Sequence, residues 1–302
     1  MMYDCLVIGG GPAGLTAAIY LARFHLRVLV IDRGQGRAMS IPMTHNQAGY
    51  PDGIAGRDLV MMMRRQATRY GAEFRIGNVT SLTAGPSGFS ALTGGRLIHA
   101  QSVLLATGVV NHRPALAESL HEEALSRGLL RYCPVCDGYE VTDTVVGVIG
   151  TGENGFTEAT FLRSYTQHVT LISPEENHLL SDEQLSRLVA YKVRHVIGPI
   201  STLEIEADRI VAEVSGRKLP FSSIYAAMGS MAQSQLAKTL DASLTDAGCI
   251  QVDSHQRTTV AGLYAAGDVV PGLDQIASAM GQAAIAATTI RNDMSASRTL
   301  LR

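Results

Sequence analysis

The sequence predicts an α/β protein in which one kind of βαβ unit occurs twice, and three observations carry that prediction. The strand-like run Leu6-Val7-Ile8 enters the turn Gly9-Gly10-Gly11-Pro12-Ala13-Gly14, followed by a helical stretch from Leu15 to Arg23 and a second apolar strand from Val28 to Asp32. The same order returns as Val145 to Ile149, Gly150-Thr151-Gly152-Glu153-Asn154-Gly155, Phe156 to Ser164 and Val169 to Ile172, with the two turns starting 141 residues apart. The chain has 302 residues, more than one core usually organises, and its 30 glycines exceed the usual share of about 7%.

Each unit reads as Rossmann-like, a three-layer ββα dinucleotide-binding fold. In the first, Gly9 makes the tight turn, Gly11 lets a pyrophosphate approach the backbone and Gly14 permits close helix packing, while the helix N-terminus offers amide donors and a favourable dipole. Asp32 stands 18 positions beyond Gly14, at a strand end where a carboxylate can accept from ribose hydroxyls. The same offset in the second unit gives Ser173. No Lys or Arg lies between Tyr165 and Ser186, whereas Glu175, Glu176, Asp182 and Glu183 do, so an NADP 2′-phosphate would meet repulsion there. Two dinucleotide units in one chain suggest a two-ligand flavoprotein.

Composition narrows the class. A net charge of −2 and the lack of a Lys/Arg-rich run argue against a nucleic-acid partner. The apolar stretch from Cys5 to Ile31 is broken by glycines and by Arg23, His25 and Arg27, so no membrane span is expected. The N-terminus lacks a signal-peptide pattern, and the expectation is a cytoplasmic protein. Nine scattered histidines show no metal-ligand spacing, and Met61-Met62-Met63 reads as core filling. Of the four cysteines, Cys5 and Cys249 read as buried small hydrophobes. Cys133-Pro134-Val135-Cys136 differs: Pro134 suits the first turn of a helix, with Cys133 as cap and Cys136 one turn in. A helix N-terminus lowers thiolate pKa, and the spacing lets the two sulfurs join or part so that electrons pass as a pair. The rival reading, half of a zinc site, needs two more soft ligands, and neither Cys5 nor Cys249 sits in a comparable turn.

Four blocks in order resemble the low-molecular-weight thioredoxin reductases: Gly9 to Gly14; Ala106-Thr107-Gly108; Cys133-Pro134-Val135-Cys136-Asp137-Gly138; and Gly262 to Asp268 followed by Asp274-Gln275-Ile276-Ala277. The resemblance implies an FAD domain made of residues 1–111 and 246–302, with a dithiol domain, 112–245, inserted in it. The crossings would run through Val109 to Pro114 and Thr245 to Gly248. It implies FAD along Gly9, Gly11, Pro12, Ala13 and Gly14, with its ribose at Asp32 beside Arg33. Arg37 and the Ala106-Thr107-Gly108 turn would lie near the nucleotide, Val79 at the adenine edge and Asn46 near the isoalloxazine. Gly267 and Asp268 would hold the ribitol or pyrophosphate. Gln275, Ile276 and Ala277 would begin a helix, Ile276 to Ile290, whose N-terminus stabilises the anionic reduced ring. By the same resemblance Cys136 faces the flavin, Cys133 attacks a partner disulfide and Asp137 relays a proton. The partner would be a thioredoxin-like protein or a small dithiol, and the assembly a homodimer. Rotation of one domain on the other would expose Cys133. His45 is a candidate flavin-side acid.

Two departures stand out. Members that use NADPH carry a His-Arg-Arg cluster where this chain has Ser173-Pro174-Glu175-Glu176-Asn177, and Asp274 replaces the usual Arg. The sequence therefore resembles a divergent branch not driven by NADPH, its electron donor left open. Two alternatives stay beside this reading. One is a small-molecule dithiol oxidase using O2, a group in which His commonly replaces Asp137; the other is a non-catalytic flavin and dithiol redox sensor.

Overall fold

The computed structural model describes residues 2–300. Its first part runs β1 (Met2–Ile8), α1 (Pro12–Arg23), β2 (Val28–Asp32), α2 (Gly56–Arg69), β3 (Glu73–Ile76), β4 (Val79–Gly85), β5 (Gly88–Thr93) and β6 (Arg96–Leu105). The middle part comprises β7 (Val109–Asn111), α3 (Glu118–Ser126), β8 (Leu130–Arg131), α4 (Pro134–Asp137), β9 (Val145–Gly150), α5 (Gly152–Leu162), β10 (His168–Ile172), α6 (Asp182–Ala190) and β11 (Arg194–Val196). It continues through β12 (Ile200–Glu206), β13 (Arg209–Val214), β14 (Arg217–Phe221), β15 (Ser223–Ala227) and β16 (Ser230–Ala232). The chain ends with α7 (Gln235–Lys238), β17 (Leu263–Ala265) and α8 (Ile276–Ser297).

Two sheets organise these elements. In the first, β3, β2, β1, β6 and β17 run parallel, and β4 and β5 extend it as an antiparallel meander on the other half of the long β6. The run in β1 is apolar throughout because both faces are covered. Cys5 and Val7 pack with α1 and α8, while Leu6 and Ile8 pack with Val79, Leu82 and Phe89 from the meander. Ala17 and Ala18 of α1 meet Ala283, Ala286 and Ala287 of α8, small side chains that let helix and sheet backbones come close. In the second sheet, β11, β10, β9, β15 and β8 are parallel; Val146 and Val148 face α5, and Ile149 faces the three-stranded β12-β13-β14 layer. Among the described residues no helix is long and apolar enough to cross a membrane.

The chain crosses between the sheets on two antiparallel strands, β7 outward and β16 back. The return therefore lies ahead of the expected Thr245 to Gly248, because Leu236, Ala237, Leu240, Ala242 and Leu244 already pack in the first sheet's cluster. Helix α8 runs to Ser297 rather than stopping at Ile290, since Ile290 and Met294 still face the core. Of the three methionines on α2 only Met63 is core, at 6% exposed. Helical spacing aligns it with Leu59, Val60 and Ala67 and turns Met61 and Met62 outward at 51% and 44%. Cys5 is buried, but Cys249 is only half-buried.

Candidate active site

The first glycine turn is shaped by contacts that exclude side chains. Gly9 has a φ of +109°, and a Cβ there would collide with the Ala106 carbonyl; one on Gly14 would collide with the Gly9 carbonyl. Gly11 differs, for a Cβ there would meet nothing within 4 Å. It caps α1 with its face open to a cavity of about 1070 Å³. The Asp32 carboxylate at the end of β2 accepts from the amides of Gly10 and Gly34, both at 3.0 Å. All the site residues named from the sequence line this cavity, save Gly14, which lies beneath the turn, and Ala277, whose side chain the helical rotation carries out to solvent. His45 lines it as well, its ring packed over Gly53. The open backbone at Gly11, the helix N-terminus behind it and the size of the cavity fit a dinucleotide.

Across the cavity, Arg37 joins three segments. Its guanidinium pairs with Asp268 at 2.9 Å and Asp274 at 3.3 Å and donates to the Asn111 side chain at 3.2 Å. Burial pushes both carboxyls up, and Arg37 holds them down; Asp274 raises Asp268 further.

The two cysteines form a disulfide. Cys133 caps α4, its sulfur accepting from the Cys136 amide at 3.1 Å, and Pro134 occupies the first turn. The Gln275 side-chain amide, just ahead of α8, donates to both sulfurs at 3.2 Å. Its oxygen accepts from Asn46, which also donates to the Val135 carbonyl at 3.4 Å and accepts from Thr44. Thus Gln275 and Asn46, from the first sheet's side of the cavity, hold the dithiol helix from the second. The Asp137 carboxylate meets Arg131 at 2.8 Å and the Tyr225 hydroxyl at 2.9 Å; burial pushes it up, and Arg131 and Tyr225 draw it down.

The second glycine turn is bridged to the segment that follows β10, although Glu153 and Asn154 stay exposed. The Leu179 amide donates to Thr151 Oγ1 at 2.6 Å, and Gln184 donates to Glu153 at 2.8 Å. Glu153 thus places a carboxylate in the first turn of α5, at the positive end of the helix dipole. Ser173 is fully buried, its hydroxyl donating to the Asn177 carbonyl and accepting from the Glu175 amide, which folds Pro174 to Asn177 back on the strand end.

Sequence reasoning passed over Arg131, Tyr225 and Thr44. Tyr225 carries a usable signal, a phenol within an apolar strand that needs a hydrogen-bond partner once buried. Arg131 and Thr44 carry none, since only the fold brings them to Asp137 and Asn46.

Comparison with known proteins now adds to this geometry. Residues 3–283 match the model of the family described as pyridine nucleotide-disulphide oxidoreductase. A thioredoxin reductase of Mycolicibacterium smegmatis is 31% identical over 280 residues, 89% of each chain. The structure is similar to that of thioredoxin reductase from Streptococcus pyogenes, 30% identical, with a TM-score of 0.88 over 98% of this chain and 99% of that one. With Lactococcus lactis thioredoxin reductase in its FR conformation, 27% identical, the TM-score is 0.62 over 96% and 98%. The chain belongs to the pyridine nucleotide-disulphide oxidoreductases, within the low-molecular-weight thioredoxin reductase family of FAD-binding flavoproteins.

Proposed function

We propose that this flavin-dependent disulfide oxidoreductase passes an electron pair between FAD, the Cys133–Cys136 pair and an external dithiol or disulfide of the thioredoxin kind, without being driven by NADPH. The observation that carries the reading is Gln275, which stands at the head of α8 in the dinucleotide cavity and bonds both sulfurs. FAD would be held by Gly9 to Gly14, Asp32 with Arg33, Arg37, Val79, the Ala106 to Gly108 turn, and Gly267 with Asp268. When bound it supplies a two-electron donor and acceptor next to the disulfide. In the reducing direction the Cys133 thiolate attacks the partner disulfide. A Cys133–partner S–S bond forms, and the departing partner sulfur takes a proton relayed by Asp137. The Cys136 thiolate then displaces the partner, restoring Cys133–Cys136 and releasing the partner two electrons reduced.

Glu153, the bonds that tie the second glycine turn to Leu179 and Gln184, and the acidic run Glu175-Glu176 support independence from NADPH. The division into a 1–111 and 246–302 flavin domain with an inserted dithiol domain belongs to this reading, with the return crossing moved to Ser230–Ala232. So does a rotation between the domains, because in the docked arrangement Gln275 holds both half-buried sulfurs and would have to release them to a protein partner. The drop in overlap from 0.88 to 0.62 between relatives of near-equal identity supports that mobility. A cytoplasmic homodimer completes the reading; the unpaired Cys5 and Cys249 suit a reducing compartment.

The test is Cys136→Ser. It should keep FAD bound and abolish electron transfer between flavin and an external dithiol; unchanged turnover in that variant contradicts the reading.

A further inference from the structure

Asp137 is fixed from outside the dithiol helix. Strands β8 and β15 run parallel with Tyr225 directly opposite Arg131, so one register delivers both side chains to the same carboxylate. Arg131 Nη1 meets Asp137 Oδ2 at 2.8 Å. The Tyr225 hydroxyl lies 2.9 Å from Oδ1 and 3.0 Å from the Asp137 carbonyl, serving side chain and backbone together. Neither partner is free to swing. Arg131 Nε donates to the Gly128 carbonyl at 3.0 Å and to Ser223 Oγ at 3.2 Å, and Tyr225 is fully buried.

We propose that Arg131 and Tyr225 are positioning residues that clamp the Asp137 carboxylate beside the dithiol and set the pH range over which it relays protons during thiol–disulfide exchange. The inference rests on the dithiol reading given above. In water a carboxylate in this position would titrate well below neutrality. Burial pushes Asp137 up, toward the range where it can carry a proton, Arg131 and Tyr225 oppose that rise, and Glu140 adds to it. The other titratable groups on elements packed against α4 are the two cysteines themselves, Tyr165, whose ring lies against Gly138, and the half-buried Glu158 of α5. Loss of an opposite charge at this distance raises a carboxylate by roughly 1–3 units, so Arg131 is the larger lever. In the exchange step the Cys133 thiolate forms a bond to one partner sulfur and the second partner sulfur leaves with the bonding pair; Asp137 gives that sulfur its proton.

Reduced protein is mixed with bis(2-hydroxyethyl) disulfide and, separately, with 5,5′-dithiobis(2-nitrobenzoate), and the loss of protein thiols is followed between pH 5 and pH 9. The alkyl leaving group needs a proton and the aryl one does not, so the ratio of the two rates isolates the donor and cancels thiolate formation. In the wild type the ratio falls as Asp137 loses its proton, and in Asp137→Asn it is flat. Arg131→Met moves the fall up by roughly 1–3 pH units, Arg131→Lys restores it toward wild type, and Tyr225→Phe moves it by less. A fall that stays in place in folded Arg131→Met overturns the proposal. Should that variant fail to fold, an unmoved fall in Tyr225→Phe does the same. A wild type that exchanges with neither disulfide removes the dithiol reading itself, whereas exchange with an immobile ratio removes only the clamp.

Discussion

Replacing Gly11 with Ala separates the cradle from the fold. Gly11 has φ −80° and ψ −173°, extended backbone that alanine adopts, and a Cβ there meets no atom within 4 Å. Alanine narrows the unfolded ensemble, worth about 0.4–1 kcal/mol, against roughly 0.5–1.5 kcal/mol lost where Ala replaces Gly at a helix N-cap, so apoprotein stability should stay within about 1 kcal/mol of wild type. The added methyl instead stands in the path by which a pyrophosphate would reach the backbone. Crowding of that kind costs roughly 1–3 kcal/mol, which is about 5- to 150-fold in affinity. Gly14→Ala is the counterpart, since its Cβ would collide with the Gly9 carbonyl and lower stability by several kcal/mol before any ligand is added. Thermal unfolding of the apoproteins and fluorescence titration with FAD read the two effects apart. Wild-type FAD affinity in Gly11→Ala, or an apoprotein that melts as early as Gly14→Ala, would refute the reasoning.

Three further outcomes follow from the same structure. Glu158 is half-buried, burial pushes its carboxyl up to about 7, and its Oε2, shut off from solvent, has no hydrogen-bond partner among the described residues. A folded-state value above the unfolded one favours the protonated native state, so this contribution is full below about pH 4.5 and lost as pH rises toward 7. Glu158→Gln should therefore raise stability at pH 8 by up to about 3 kcal/mol and leave it unchanged at pH 4, read from denaturant midpoints at the two pH values. Arg37→Met leaves Asp268 and Asp274 facing each other without their cation. It should cost about 1–2 kcal/mol at pH 7, a figure discounted for partial exposure, and most of that should return near pH 4 as the carboxyls protonate; an equal loss at both pH values counts against the pairing. Gln275→Ala removes two hydrogen bonds to the sulfurs, together worth about 1–3 kcal/mol, and should slow flavin reduction by an external dithiol about 5- to 150-fold in stopped-flow absorbance; an unchanged rate shows that the docked arrangement is not the reactive one.

Local patterns were legible because each βαβ unit states its own rules. Glycines at fixed offsets, an acid at a strand end and strands apolar on both faces placed β1, α1 and β2 within four residues of their true ends. Cys133, Pro134 and Cys136 announced a capped helix for the same reason. What failed needed tertiary information. The return crossing was read too late because Leu236 to Leu244 looks like linker until it is seen packing under the first sheet. Met61 and Met62 belong to an apolar triplet whose register against the core only the helix axis decides. The bonds from Gln275 to both sulfurs span 142 and 139 residues, and the Arg131–Asp137–Tyr225 cluster depends on two strands distant in sequence lying side by side. The acidic stretch after Ser173 was visible as charge; its folding across the second glycine turn was not.

The most direct measurement is an anaerobic titration of the yellow protein, following bleaching of the flavin absorbance with NADPH, with NADH, and with a reduced dithiol, in wild type and in Cys136→Ser. The account predicts bleaching of the wild type by the dithiol, none of Cys136→Ser by the dithiol, and none of either protein by NADPH. Rapid stoichiometric bleaching by NADPH, or dithiol bleaching that survives the loss of Cys136, would contradict it.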